Sequence, residues 1–205
     1  MKFNKILDFI PNTSTNYVEK ILLNTELEII LVNKRKSKYG DFRKNRNGFC
    51  QITLNKTQNH YRFLITLIHE LSHYFVDKYY NKKVKPHGKE WKFEFRKLML
   101  PLLTEKIFPK EILINLHKYF KNPKASTDSD LELAIELSKY DSIEHNKKFL
   151  KDIFINDFFK YGDNRVFKNL GKVRKRYICL DIKSGNKYLF SPITKVKKHY
   201  EKSCC

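Results

Sequence analysis

His69-Glu70-Leu71-Ser72-His73 follows directly on an apolar run, Phe63-Leu64-Ile65-Thr66-Leu67-Ile68, with the length and composition of a buried helix. On a helix, positions four apart share a face, so both imidazoles can reach one divalent ion. The glutamate beside the first histidine can then take a proton from a water polarised by that ion. The segment therefore predicts a metal-holding helix with its own carboxylate base, the equipment of a metal-dependent peptidase. The competing reading is a structural helix with two ordinary histidines, and the residues that follow weigh against it.

A catalytic zinc takes three protein ligands and leaves one position open, so a third donor is expected after the helix ends and the chain turns back. His87 stands there. Asn81-Lys82-Lys83 ends the apolar pattern, Pro86 suits the first turn of a new helix, and Gly88 removes a side chain beside His87. Trp91, Phe95 and Leu98 recur at helical spacing and predict a second core helix that closes at Met99-Leu100-Pro101. Glu90 and Glu94 stay open as alternative third ligands. Asp77 continues the face of His69 and His73 but sits about 12 Å along the helix axis from His69, too far to share one ion.

On these residues (the H-E-x-x-H helix, a short loop, His87-Gly88-x-x-Trp91, then an aromatic and basic helix) the chain resembles the SprT-like (Spartan-type) zinc metalloproteases. The likeness is strongest to bacterial members with a compact basic C-terminal β segment. Tyr39-Gly40-Asp41-Phe42-Arg43 and Ile52-Thr53-Leu54-Asn55 match that family's approach to the active-site helix, and the resemblance runs from about Ile10 to Val196. It implies an α+β, zincin-like core with an active-site helix and a small mixed sheet. It implies one Zn²⁺ per chain on His69, His73 and His87, with Glu70 as general acid and base, and hydrolysis of proteins associated with DNA. It also makes Cys50 to Leu54 the candidate edge strand for extended substrate, an ordinary sheet strand being the alternative. Many relatives carry a zinc ribbon near the C-terminus. Here Cys50, Cys179, Cys204 and Cys205 cannot supply ribbon spacing, so strand packing is expected to hold that segment, and Cys204-Cys205 is read as a frayed tail rather than a redox or lipidation accessory.

Charge points the same way. The chain has 42 Lys and Arg against 22 acids, net +20, which favours a polyanionic partner. Because Lys, Asn and Ile are frequent throughout, the location of charge carries more weight than its total. Between Arg165 and Lys202 lie twelve basic residues against Asp181 and Glu201, half of the net excess. Val166-Phe167, Val173 to Ile182 and Tyr188-Leu189-Phe190 read as short strands, with turns at Gly171 and Ser184-Gly185-Asn186. Phe167, Tyr177, Tyr188 and Phe190 interleave with the cations, as a surface that tracks phosphate and stacks on bases requires; the alternative is a small β unit whose aromatics are core. Lys172, Arg174, Lys175 and Arg176 are the candidate phosphate contacts. DNA is the partner expected beside the protein substrate, with RNA the other polyanion of matching charge.

The chain reads as a metalloprotease domain over 1–121, a polar connector and helical segment over 122–164, and a basic β segment over 165–205. Helices are expected from Pro11 to Asn24, from Ile107 to Phe120 and at Leu131, Leu133, Ile135 and Leu137, with helical character from Ile143 to Tyr161; strands are expected at Leu27 to Val32, Tyr39 to Arg43 and Phe49 to Leu54. No apolar h-region follows the basic start and no apolar run is long enough to span a bilayer, so a cytoplasmic protein with no membrane partner is expected, as scattered thiols also suit. A monomer is the default expectation. Two other classes fit parts of the pattern: a catalytically inactive zinc- and nucleic-acid-binding module, for which Glu70 has no evident use, and a metal-free protein that binds RNA or an acidic partner through charge alone. Tyr79, Tyr80 and Arg96 lie within sequence reach of an oxyanion, a role left unassigned.

Overall fold

The computed structural model describes residues 3–35, 38–57, 59–80, 84–141 and 147–199, and the chain forms two compact units, Met1–Ser142 and Ile143–Cys205. The class is α+β, as expected. Among the described residues no helix is long and apolar enough to cross a membrane.

In the first unit, helices α1 (Asn4–Leu7) and α2 (Thr15–Leu23) precede a three-stranded sheet of β1 (Leu27–Val32), β2 (Gly40–Lys44) and β3 (Cys50–Asn55). The order is β1-β3-β2, with β1 parallel and β2 antiparallel to β3. Strand alternation sends Cys50, Ile52 and Leu54 to one buried face. On the other face, Gln51 donates to Glu28 and the Arg35 guanidinium donates to Thr53 and Asn55. The expectation that Cys50 to Leu54 forms an edge is corrected: β3 is the central strand, because its two sides are taken by β1 and β2. The strand that directly precedes the helix of His69 and His73 in sequence is thus not the strand left open for pairing.

Helix α3 (His60–Tyr79) starts at Asn59, whose side chain accepts from the Arg62 backbone N–H at 3.0 Å and so satisfies one of the unpaired donors of the first turn. Leu64, Ile65, Leu67, Ile68 and Leu71 are all buried, so α3 is a core helix rather than a surface one with a single apolar stripe. α4 (Lys89–Met99) packs on it through Trp91 and Phe95, and Phe95 in turn meets Phe120 of α5 (Lys110–Lys121) with ring centres 4.9 Å apart. The helix expected from Ile107 begins at Lys110 because Pro109 keeps Phe108 out of the helical region. Pro86 also lies outside its expected helix, in the turn before α4.

α6 (Leu131–Ser138) belongs to this unit too. Arg62 at the start of α3 is 5% exposed and pairs with Asp128, in the turn before α6, at 2.8 Å and with Asp141 beyond it at 3.6 Å. Asn59 donates to Asp141 and to the Leu137 carbonyl, both at 2.7 Å. Part of the segment expected as a connector therefore anchors the first unit.

The second unit is a six-stranded sheet of β4 (Lys148–Phe149), β5 (Phe158–Tyr161), β6 (Arg165–Val173), β7 (Arg176–Asp181), β8 (Lys187–Phe190) and β9 (Lys195–His199), ordered β4-β9-β5-β6-β7-β8. The helical reading of Ile143 to Tyr161 is overturned for the described part; 143–146 lie outside it. Leu150 and Ile153 have helical spacing, but Leu150 opens a single 3-10 turn that ends before Ile153, Asn156 takes φ +70°, and the chain runs on into β5. Val173 to Ile182 is likewise not one strand: Arg174, at φ +54°, turns the chain between β6 and β7. Leu150, Ile153, Phe159, Phe167, Cys179, Phe190 and Val196 form the buried core. Phe167 and Phe190 are thus packing residues rather than a stacking surface, while Tyr188 keeps 37% of its area exposed beneath the Arg165 guanidinium.

Candidate metal centre

α3 presents His69 and His73 on one face, and a tight turn brings His87 to them. The Gly88 N–H donates to the Lys85 carbonyl at 2.9 Å, closing a turn whose second residue is Pro86 and whose third, His87, has φ +56°. Such a turn calls for positive φ at its third position, usually met by Gly or Asn; holding another residue there costs about 1–3 kcal/mol. Gly88 is required for space, since a Cβ would lie 2.9 Å from the Lys85 carbonyl oxygen.

The three Nε2 atoms form a nearly equilateral triangle: 3.3 Å from His69 to His73, 3.0 Å from His73 to His87, and 3.2 Å from His87 to His69. Tetrahedral zinc with Zn–N bonds of about 2.0–2.1 Å needs nitrogens about 3.3–3.4 Å apart, so the donor set fits such an ion. To ligate one ion together the three rings must be neutral with the proton on Nδ1, so that three Nε2 lone pairs converge. His69, His73 and His87 are the one such group of potential ligands among the described residues. Glu94 is instead buried and accepts from the Tyr80 hydroxyl at 3.2 Å, Glu90 lies outside the cluster, and Asp77 pairs with Lys44 at 2.5 Å.

The walls of the site come from residues that the sequence reading assigned elsewhere or left without a role. Trp91, 1% exposed, has its ring centre 4.6, 5.6 and 4.7 Å from those of His69, His73 and His87, and its indole N–H donates to the His69 carbonyl at 3.4 Å. It is both core and backing for all three imidazoles. From the other side β2 runs along α3 in step with it: Gly40 against Glu70, the Phe42 ring nearly parallel to His73 at 6.4 Å, and Lys44 on Asp77. A Cβ at residue 40 would lie 2.8 Å from both Cγ and Oε1 of Glu70, so glycine is needed here for space. The Phe42 backbone N–H donates to the Glu70 carboxylate. Just before Gly40, the Tyr39 ring lies under the Arg62 guanidinium at 4.9 Å and its hydroxyl bonds Asp128. The α6 anchor thereby braces the strand that seats Glu70.

Burial sets the protonation states. It lowers His69 well below the ordinary histidine range, helped by His73 and His87, takes His73 down to about 4 with His87 contributing, and lowers His87 as well. All three are neutral at pH 7 and need lose no proton to ligate. Glu70 is pushed up to about 8 by burial and by the Asp41 carboxylate, against the pull of the Phe42 N–H, Lys38 and Arg35. In metal-free protein, a carboxyl that holds its proton to about pH 8 when folded and to 4.5 when unfolded makes stability fall as pH rises across that window. Gln cannot ionise and keeps the Phe42 bond. Metal-free Glu70→Gln is therefore expected to match wild type near pH 4.5 and to exceed it by a few kcal/mol near pH 8. Thermal unfolding in chelator at both pH values checks this; an equal gain at both would place the effect outside the ionisation of Glu70.

Neither Tyr80 nor Arg96 is free to turn to an oxyanion: the first bonds Glu94, and the second donates to the Phe120 and Lys121 carbonyls. Tyr79 stacks on Phe75 and is 58% exposed. Lys172, Arg174, Lys175 and Arg176 come together at the β6–β7 hairpin of the second unit, where Val173 pairs with Arg176.

The SprT-like family model matches residues 8–107, the stretch that carries the first sheet, α3, α4, the three histidines and Glu70. Over this stretch, just under half of the chain, the chain is similar to the SprT-like family. No curated protein and no solved structure matches it.

Proposed function

We propose that the chain is a zinc-dependent metallopeptidase built on a zincin-like core, acting on proteins associated with DNA. The observation that carries this reading is the triangle of Nε2 atoms 3.0–3.3 Å apart, next in sequence to a buried carboxylate that the fold makes room for. Bound there, zinc supplies Lewis acidity toward a water molecule and the scissile carbonyl. Glu70 accepts the proton of the attacking water and returns it to the leaving amine, a cycle that suits a carboxyl whose pKa burial has raised toward neutrality. A cation on the histidines lowers that pKa and readies the carboxylate as a base. The Phe42 N–H keeps Glu70 in place through both protonation states, and Trp91 fixes the imidazoles. Extended substrate pairs with the open side of β2, which carries Gly40 and Phe42 past the site.

The inactive-module alternative gives no reason for the Glu70 seat, where glycine at residue 40 admits a carboxylate costly to bury. The basic second unit supplies the link to DNA: its 63 residues carry net +10, as much as the 142 residues before them. Stripping the metal with chelator should abolish cleavage of a DNA-bound protein, and one equivalent of Zn²⁺ should restore it. Cleavage that survives full removal of metal would refute the proposal.

A further inference from the structure

β1 leaves one whole side of the first sheet open. In the order β1-β3-β2 it is the outermost strand, at the edge away from β2. The Val32 carbonyl accepts from the Lys56 N–H at 2.8 Å, so Glu28, Ile30 and Val32 turn their main-chain groups toward β3, and Ile29 and Leu31 turn theirs outward. Among the described residues no other segment bonds those outward groups. Exposed edges are usually blunted by Lys, Pro or a bulge. Leu27-Glu28-Ile29-Ile30-Leu31-Val32 has none of these, and its single charge, Glu28, is drawn toward β3 by Gln51 at 2.7 Å. On the face away from α3, Ile30 is 36% exposed.

Charge identifies what covers this edge. The chain carries net +20, so two copies attract only where local charges compensate, and along β1 they do. Glu26 stands just before the strand and Lys34 just beyond it, both exposed, so the sign of charge reverses from one end to the other. An antiparallel strand of the same sequence complements that reversal at both ends. With Ile29 of one copy opposite Leu31 of the other, the outward N–H and C=O groups of both residues find partners. In the same register Ile30 faces Ile30, and Glu26 of each copy faces Lys34 of the other. A parallel copy in register would instead set Glu26 against Glu26 and Lys34 against Lys34.

We propose that the chain pairs with a second copy of itself through β1, antiparallel about a two-fold axis at Ile30, in place of the monomer expected by default. The two sheets then run on as one, in the order β2-β3-β1-β1-β3-β2, which leaves β2 and its neighbouring histidines free at both outer ends. A two-fold pair uses up both open edges and closes, whereas a head-to-tail contact would continue into a fibre. The pairing is independent of the peptidase reading, since mass rather than cleavage reports it.

The test is sedimentation velocity of the full chain from nanomolar to high micromolar concentration, with circular dichroism and zinc content measured on the same samples. Wild type is expected to reach twice the chain mass as concentration rises. Ile30→Lys puts two ammonium groups face to face at the axis without touching the buried face of the sheet, and is expected to stay monomeric with its helices, zinc content and cleavage unchanged. Glu26→Lys, at an exposed position outside the strand, is expected to weaken the dimer about tenfold because both ends of the pair are affected, and Glu26→Lys with Lys34→Glu is expected to restore it. Wild type that stays monomeric throughout overturns the proposal. So does a dimer that persists unchanged in Ile30→Lys, or a double charge swap that fails to recover what Glu26→Lys loses. Mass that keeps climbing past two chains overturns the closed two-fold pair in favour of open stacking.

Discussion

His87→Ala is expected to lower zinc affinity at least about a hundredfold, since changes one shell further out already cost about 10–100-fold. The variant should keep its helices. His87 sits in the turn between α3 and α4, outside both, and the core contacts of Trp91 with His69 and Phe95 do not pass through it. Of the three histidines it gives the cleanest test, because His69 is 9% exposed within the core helix and its removal would also leave a cavity. Competition against a chelator of known affinity, with circular dichroism on the same samples, reads both effects. Zinc affinity equal to wild type would remove His87 from the site.

Glu70→Gln is expected to bind zinc as wild type does and to lose about 10²–10⁴-fold in kcat, the range of a positioned general base. The amide keeps the volume of the carboxylate in the pocket bounded by Gly40 and Thr66, and its oxygen can still accept the Phe42 N–H. What it cannot do is take up a proton. The loss should fall on kcat with little change in KM, because the residue acts on the attacking water rather than on the substrate's grip.

That His69 and His73 share a face was legible in the sequence because helical period is a local property: four residues apart is one face, whatever surrounds the helix. His87 followed from the need for a third donor, although the reason it arrives, a turn with His87 at φ +56° between Pro86 and Gly88, could not be read from spacing. Gly40 and Phe42 lay within a stretch matched to the family, but their place beside Glu70 and His73 depends on β2 running in step with α3, a tertiary fact. The edge strand was misassigned for the same reason: order along the chain does not give order in a sheet when a parallel pair intervenes. In the second unit the run of Leu150, Ile153 and later apolar residues has helical spacing by coincidence, and a positive φ at Asn156, rather than any composition signal, diverts it into strands. Burial of Phe167 and Phe190 beside exposure of Tyr188 likewise comes from which face of each strand meets the core.

The most direct test is cleavage of a DNA-bound protein by wild type and Glu70→Gln, both loaded with one zinc per chain and assayed side by side, with products mapped by mass spectrometry. The account predicts defined peptide-bond cleavage by wild type and none by the variant over the same time at equal zinc occupancy. Equal cleavage by the two proteins, or none by zinc-loaded wild type, would contradict it.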